Sequence, residues 1–520
     1  MAAQLVSLDP RKIPANPWIH LHPKDNVAVA RLQIPAGAEI AFEGGAVRTL
    51  QTISPGHKLA LRPIAKGAMV FKYGEEIGRA AEDLPAGTWV HTHNLLFDIN
   101  ERSYEFGTSP VELGDLPEPG RTTFMGYPRA DGRAGTRNYV AIVGASNCAA
   151  YATERIAAAF REESFAGTGV DGVVALPHAD GCGQAEGADT DLLRRTLDGL
   201  ADHPNIAAAV VVGLGCEVNQ IGYYLRPEVT LPGMPQRRGL TLQESGGTRR
   251  AVEDGVRAVR ELIDSAGRLD RQPCPVSKIA ISLECGGSDA FSGITANPGV
   301  GYCSDLVVKQ GGTACLGETT EIWGAEHLLT RRSASPEVGR RLLEMLDWYF
   351  DYVRRFSDSV TFNANPSPGN MAGGITNIAE KSLGAVAKGG HSTLSAVYDY
   401  AERITQGGFV FMNSPGYDPA SVTGMVAGGC NICLFTTGRG SCFGFATAPV
   451  IKVASNSVTA RHMDEDMDIN AGTVADGQET IAELGSRMYD TLLEVASGRK
   501  TCSELAGHRE MMTWRIGPTL

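Results

Sequence analysis

The chain has 520 residues with 47 Lys and Arg against 59 Asp and Glu, a formal net charge of −12 at pH 7, and 43% hydrophobic and 20% charged residues. At roughly 100 to 200 residues per domain this predicts three or four domains with sizeable cores, and it excludes a disordered acidic tail. The acidic balance, with no basic block longer than a pair, argues against a nucleic-acid partner, and no run of about 20 uncharged apolar residues exists to span a bilayer.

The amino-terminal stretch MAAQLVSLDPRK lacks the apolar core of a signal peptide, so a cytoplasmic location is expected. Residues 1–105 alternate short apolar runs (26–34, 58–64, 69–74, 88–95) with Pro-Gly turns, which predicts a small all-β domain. Residues 106–125 hold three prolines in no apolar period and read as a linker. From Tyr139 the rhythm changes to strands of Val, Ala and Ile alternating with amphipathic helical stretches, which predicts a parallel sheet covered on both faces over 126–275. The same alternation recurs over 276–520, with apolar runs at 278–289, 311–321, 407–416, 431–440 and 448–457 and helical segments near 336–356 and 477–496. The expected architecture is therefore α/β: a small N-terminal all-β domain followed by two α/β parallel-sheet domains.

The 62 glycines, about 12% of the chain against a usual 7%, fall in clusters just after apolar runs, where tight turns at strand ends build the ligand crevice of a parallel sheet. The eleven cysteines are an odd number spread over a long chain, which suits free thiols or metal ligands better than a disulfide framework. Cys182 in HADGCGQ, Cys216 in GLGCEVNQ and Cys285 in LECGGSD each follow an apolar strand, and three converging thiolates could hold iron, either as an iron–sulfur cluster or as one ion with mixed ligands. Most of the others, Cys148 among them, read as ordinary buried cysteines. In the β domain, strand alternation places His20 with His22 and His91 with His93 on common faces, and an i, i+2 histidine pair can grip one metal, with Asp25 adding a hard oxygen ligand. The plainer reading is polar surface on a small domain. Among the cations near glycine turns, Arg137 and Arg439 offer carboxylate forks, and Lys381 offers a charge or a base. ECGGSD is not GxGxxG, and neither GxxxxGK[ST] nor GxSxG occurs, so dinucleotide, P-loop and serine-elbow chemistries lose support.

The ordered segments IHLHPKDNVAVA, VHTHNL, DGRAGTRN, GCGQ, LECGGSDAFSGITANP, NPSPGNMAGGITNIAEKSLG, FTTGRG, IKVASNS and MDINAG span nearly the whole chain and resemble the altronate/galactarate dehydratase family. The resemblance implies an N-terminal SAF-type, β-clip-like domain and a small-molecule sugar-acid substrate that loses water with help from Fe(II) or another divalent cation, such as Mn, Mg or Ca. A cluster on Cys182, Cys216 and Cys285 is the rival cofactor. Dehydrating a 2,3-dihydroxy acid requires C2 proton abstraction and loss of the C3 hydroxyl, so the expected enzyme is a hydro-lyase that makes a 2-keto-3-deoxy acid, as in hexuronate catabolism. His22, His178, Glu284 and Lys381 are the acid–base candidates. Asn94, Arg137, Asn370 and Arg439 are candidates to hold substrate, and Asp25, His91, His93, Cys182, Cys216 and Cys285 to bind metal. A homo-oligomer is expected. Related sulfo-lyases that expel sulfite share the larger module, and a non-catalytic sugar-acid binding protein is the alternative from another class.

Overall fold

The computed structural model describes residues 17–42, 45–97, 103–111, 113–114, 116–225 and 236–519. The amino-terminal stretch read for a leader lies outside them. Short antiparallel strands do build the N-terminal unit: Trp18–Ile19, Val27–Ala30, Lys58–Ala60 and Trp89–Val90 form one sheet, and Met69–Lys72, Glu75–Ala80 and Leu95–Leu96 another. The apolar alternation of Ile34, Ile40, Val47, Ile53 and Leu59 fills its core.

One difference bears on the histidine reading. Strand pairing stops at Val90, and residues 91–94 form a turn in which the Asn94 side chain accepts from the His91 N–H at 2.9 Å. A local side-chain bond of this kind competes with the ladder, so His91 and His93 do not share a strand face. The stretch 20–22 is likewise irregular, and Pro23 follows it.

The central domain is a four-stranded parallel sheet in the order Gly172–Leu176, Tyr139–Gly144, Ile206–Gly213, Gln236–Thr241. Its two inner strands, Tyr139–Gly144 and Ile206–Gly213, are near-continuous Val, Ala and Ile because helices cover both faces, whereas the edge strand Gln236–Thr241 is polar and largely exposed. The helix Thr248–Ala266 stops at Gly267, where the sequence signals an end. The C-terminal domain is a seven-stranded parallel sheet in the order Leu394–Tyr398, Gly408–Met412, Thr313–Leu316, Ala280–Cys285, Ile432–Thr437, Val450–Ala454, Ile469–Asn470. Between the two domains Thr123–Pro128 pairs antiparallel with Gln272–Pro275, so the end of the proline-rich stretch and the segment after Gly267 are laced together. Arg137, expected near a substrate, serves this junction. Its guanidinium is buried, pairs with both carboxylate oxygens of Glu504 at 2.7 and 2.8 Å and donates to the Val495 and Arg499 carbonyls.

The β domain is fastened to the C-terminal domain by buried charge. Lys58 and Lys72 both reach the Glu380 carboxylate, at 2.9 and 2.8 Å, with all three side chains at most 1% exposed. Burial alone would raise the Glu380 carboxyl, but the two ammonium groups outweigh it and hold it well below the carboxylate range, while Thr376 donates to it. Lys58, desolvated and beside Lys72, is pulled down to about 8 despite its own bond to Glu380.

Because Glu380 stays ionised below its ordinary 4.5, the unfolded chain takes up a proton first on acidification, and the stability it contributes is present above that value and lost as the pH falls below it. Glu380→Gln leaves two buried lysines without a counter-charge and is expected to cost ~3–5 kcal/mol near neutral pH. Denaturant titration of both proteins checks this: the gap between their midpoints narrows toward low pH, and a constant gap would contradict the assignment.

Candidate active site

The C-terminal edge of the seven-stranded sheet gathers an unusual density of buried charge. Glu284 and Cys285 end the strand Ala280–Cys285, and Glu318 and Glu321 follow the neighbouring strand Thr313–Leu316. Lys381 and Lys388 come from the buried helix Ile378–Val386 and the turn after it, and Asp418 opens the helix Asp418–Ala427. Glu318 adopts φ +62°, a backbone conformation that L side chains other than Asn and Asp rarely take, and this strained turn brings its carboxylate inward.

Lys388 Nζ lies 2.8 Å from Glu318 Oε2 and 2.9 Å from Cys285 Sγ. Lys381 Nζ lies 2.6 Å from Glu321 Oε1 and donates to Asn365 Oδ1 at 3.0 Å, and Asn365 in turn donates to Glu321. Ser421 donates to Glu284 Oε2 at 2.8 Å. The second oxygens of Glu284 and Glu318 are buried and receive no hydrogen bond from any other group; the two carboxyls face each other and share the proton that Glu284 holds. One ligand atom each from Glu284, Glu318 and Asp418 fall within 4.8 Å of one another, and so do those of Cys285, Glu318 and Glu321.

Charge counting decides what this arrangement demands. Four carboxylates face two ammonium groups, an excess of two negative charges in a place with almost no water. Without another cation, protons must make up the difference. Burial and then the charge of Glu318 push Glu284 well above the carboxylate range, Glu321 rises for the same reasons, and Asp418 is pushed up to about 7. Glu318 goes the other way, since Lys388 and Lys381 outweigh its burial. The missing charge is that of one divalent cation, and hard oxygen donors are its usual ligands. These residues therefore fit a divalent metal.

Beside the cluster a narrow cleft runs under the β domain. Lys72 and Tyr73 line one side, and Cys285, Ser288, Asp289 and Lys381 the other. Ser288 Oγ is buried there without a partner. The wall thus holds two ammonium groups, paired to Glu380 and Glu321, beside the Asp289 carboxylate and the free Ser288 hydroxyl, a polar lining with both donors and acceptors. Glu380 and Lys381, consecutive on one helix, face the β-domain lysines and the carboxylate cluster respectively.

Of the residues chosen from the sequence, Glu284, Cys285 and Lys381 lie in this cluster. Asn370 adjoins it, donating to the Ser288 carbonyl at 2.8 Å while its oxygen caps Ser367. Arg439 is exposed and tied to the Gly287 carbonyl through its backbone N–H. Both Asp25 oxygens accept backbone N–H groups of the left-handed turn Tyr73–Gly74, at 3.0 and 2.7 Å, so Asp25 shapes the hairpin that carries Lys72. The His22 ring packs against Gly74, where an added Cβ would sit 2.8 Å from Nδ1. His91 and His93 stack on Trp89, which donates to His57, and burial pulls His91 down to about 4. Asn94 donates to the Trp89 carbonyl. His178 accepts from Asp180 N and contacts the Gly144 carbonyl, both in the central domain. Among the described residues, the groups of three ligand atoms within 4.8 Å of one another include neither these histidines nor Cys182 or Cys216.

Glu318, Glu321, Lys388 and Asp418 escaped sequence reasoning, as did the Lys58, Lys72 and Glu380 fastening. The one available signal was GETTE directly after an apolar run, the same strand-end position that selected Glu284 and Cys285.

Three family models match the chain: an altronate/galactarate dehydratase SAF domain over residues 16–98, a D-galactarate dehydratase/altronate hydrolase second domain over 126–267, and a D-galactarate/altronate dehydratase C-terminal region over 276–519. Altronate dehydratase of Escherichia coli (strain K12) is 35% identical over 508 residues, 97% of this chain and 100% of that protein. Galactarate dehydratase (L-threo-forming) of the same organism is 35% identical over 518 residues, 96% of this chain and 97% of that protein. The (2R)-sulfolactate sulfo-lyase subunit beta of Chromohalobacter salexigens is 36% identical over 395 residues, 76% of this chain and 97% of that protein. No described helix is long and apolar enough to cross a membrane.

The charge count separates two substitutions of the same chemical type. Glu284→Gln replaces a carboxyl that the fold holds protonated, so in metal-free protein it should change stability by less than ~1 kcal/mol. Glu318→Gln strips Lys388 of its carboxylate and should cost ~3–5 kcal/mol. Equal losses in chelator-treated protein, measured by denaturant titration, would contradict this division of charge.

Proposed function

We propose that this chain, which belongs to the D-galactarate/altronate dehydratase family, is a metal-dependent dehydratase of a sugar acid of the altronate or galactarate type, converting it to a 2-keto-3-deoxy acid. Membership of that family makes it a carbon–oxygen lyase, a hydro-lyase. The observation that carries the reading is the pair of carboxylate oxygens on Glu284 and Glu318 that receive no hydrogen bond from any other group, in a cluster with an excess of two negative charges, next to a cleft walled by Lys72 and Lys381.

Glu284, Glu318 and Asp418 would hold the divalent ion, for which Fe(II) is the first choice. When bound, it would supply Lewis-acid stabilisation of the charge that develops beside the substrate carboxylate, while the C2 proton would pass to the Asp289 carboxylate, which lines the same cleft and whose proton affinity burial raises. The rest is done by the chain itself. Lys72 and Lys381 present N–H donors toward the cleft from their ion pairs with Glu380 and Glu321, and Ser288 Oγ is free to bond a substrate hydroxyl. Lys381 is held charged because Glu321 outweighs the effect of its burial, so its Nζ–H can protonate the departing C3 oxygen. Glu321 and Asn365 act through Lys381 by fixing its position. The β domain closes the cleft from above and excludes water, which strengthens each of these interactions.

Anaerobic incubation with altronate, galactarate and other sugar acids in the presence of Fe(II) or Mn(II), followed by an assay for 2-keto-3-deoxy acid, tests the reading. Full turnover after exhaustive chelation would overturn the metal dependence, and release of sulfite from sulfolactate without dehydration of any sugar acid would favour the sulfo-lyase reading that the Chromohalobacter relative raises. Lys381→Met should lower kcat by about 10²–10⁴-fold and, because it leaves buried Glu321 without its ammonium partner, should also lower the melting temperature, whereas Lys381→Arg keeps the charge and should retain more of the stability than of the rate. Because the ion must displace protons from Glu284 and Asp418, metal affinity should rise with pH up to about 7. Calorimetry in buffers of different ionisation enthalpy would register the protons released, and pH-independent affinity would count against these ligands.

A further inference from the structure

The central domain repeats, on its own sheet, the strand-end construction that builds the acidic cluster, and this time the side chains are thiols. Cys148 is the second residue of the helix Asn147–Ala158, which follows the strand Tyr139–Gly144. Cys182 lies in the turn after the adjacent strand Gly172–Leu176, and Cys216 in the turn after the strand on the other side, Ile206–Gly213. Parallel strands stand about 4.8 Å apart, so these three turns emerge side by side. Backbone bonds lace them together: Asn147 N–H donates to the Asp180 carbonyl at 2.8 Å, and Asn219 N–H to the Gly181 carbonyl at 3.1 Å.

Glycine makes the close approach possible. Gly181 and Gly183, on either side of Cys182, have φ of +93° and +68°, and Gly215, just before Cys216, has +123°. A Cβ at Gly181 would sit 2.3 Å from the Ala145 carbonyl oxygen and 2.9 Å from the Ser146 Cβ. The Cys148 thiol lies within electrostatic range of those of Cys182 and Cys216. Gln243 Nε2 donates to Cys216 Sγ at 3.2 Å, the kind of amide bond that supports a ligating sulfur.

Exposure points the same way. Cysteine is among the most buried residue types, yet Cys148, Cys182 and Cys216 are all exposed, and Cys442 is the other exposed cysteine of the chain. The groups that could complete a four-ligand protein cage are already engaged. Glu217 spends both carboxylate oxygens on the Leu214 and Gly215 N–H groups, and both ring nitrogens of His178 are occupied by backbone. Three thiols with the fourth position open suit a thiophilic centre in which one coordination site is left for an outside ligand.

We propose that Cys148, Cys182 and Cys216 form a metal site distinct from the carboxylate cluster, a three-thiolate cradle for an iron–sulfur centre: the three sulfurs do not all lie within 4.8 Å of one another, as a single ion would require, and a multinuclear centre bridges a wider gap. This differs from the sequence expectation in its third member. Cys285 is buried against Lys388 and Glu318 in the C-terminal domain, while Cys148, read there as an ordinary buried cysteine, is exposed beside Cys182. Binding would replace three thiol protons with metal–sulfur bonds.

The test is metal and acid-labile sulfide analysis of the full-length chain after anaerobic purification and reconstitution, in one arm with iron and sulfide and in the other with zinc alone. Cys148→Ser, Cys182→Ser and Cys216→Ser should each lose metal by at least about tenfold, while Cys442→Ser retains it. Iron with acid-labile sulfide that disappears in the three variants supports the site, whereas zinc or iron bound there without sulfide would overturn the assignment of a cluster. Alkylation of the parent protein guards against misfolded variants, because metal should protect these three thiols and leave Cys442 reactive. Metal content unchanged in the three variants, no metal retained in either arm, or equal alkylation of all four thiols with metal present would overturn the proposal.

Discussion

The excess of buried negative charge between Glu284, Glu318, Glu321 and Asp418 is the constraint around which the C-terminal domain is arranged. A buried carboxylate must be paired, protonated or metal-bound, and this cluster uses the first two and has the donors for the third. Lys388 and Lys381 each neutralise one group, and in doing so they fix the helix Ile378–Val386 against the sheet edge. The pairing explains why a helix with so few exposed positions carries charge at all. Its polar residues face into the protein, toward partners supplied by other elements.

The same helix carries the coupling to the β domain. Glu380 binds Lys58 and Lys72 from above, and the next residue, Lys381, faces the carboxylate cluster and the cleft. A shift of the β domain would therefore move Lys72 directly and Lys381 through a single peptide unit. Asp25 adds a further link, because it holds the left-handed turn at Tyr73 and Gly74 that follows Lys72. The conspicuous histidine and aspartate of the HPKDN segment shape the hairpin that closes the cleft, and the ammonium group on that hairpin is what lines it.

The fold was legible in the sequence where periodicity is strong. The antiparallel β domain, the two parallel sheets and the helices at 248–266, 336–354 and 481–496 all announce themselves by alternation or by an apolar stripe with a clear stop. Ala296–Lys309 and Ile378–Val386 do not, because they are buried on nearly all sides and so show no polar face. Strand ends pointed to Glu284 and Cys285, and a lysine near a glycine turn to Lys381. The partners of these residues were hidden by distance along the chain: Lys58 meets Glu380 across 322 positions, and Lys388 meets Cys285 across 103. The histidine pairs misled for a local reason, since Asn94 turns the chain at the point where strand alternation was assumed to continue.

Both parallel sheets place their reactive side chains at the carboxyl ends of adjacent strands, where successive turns converge and the backbone offers the sharpest bends. The two edges differ in what surrounds them. Around the acidic edge, the β domain and buried lysines exclude water, which raises the proton affinity of every carboxylate without a lysine partner and favours a hard cation. The thiol edge is open to solvent and has no cationic partner within bonding distance of its sulfurs among the described contacts, so nothing there competes with a soft metal for the thiolates. One construction on two sheets thus gathers two donor sets of opposite chemical character, buried carboxylates and exposed thiols, and the difference follows from burial and donor type rather than from any difference in topology.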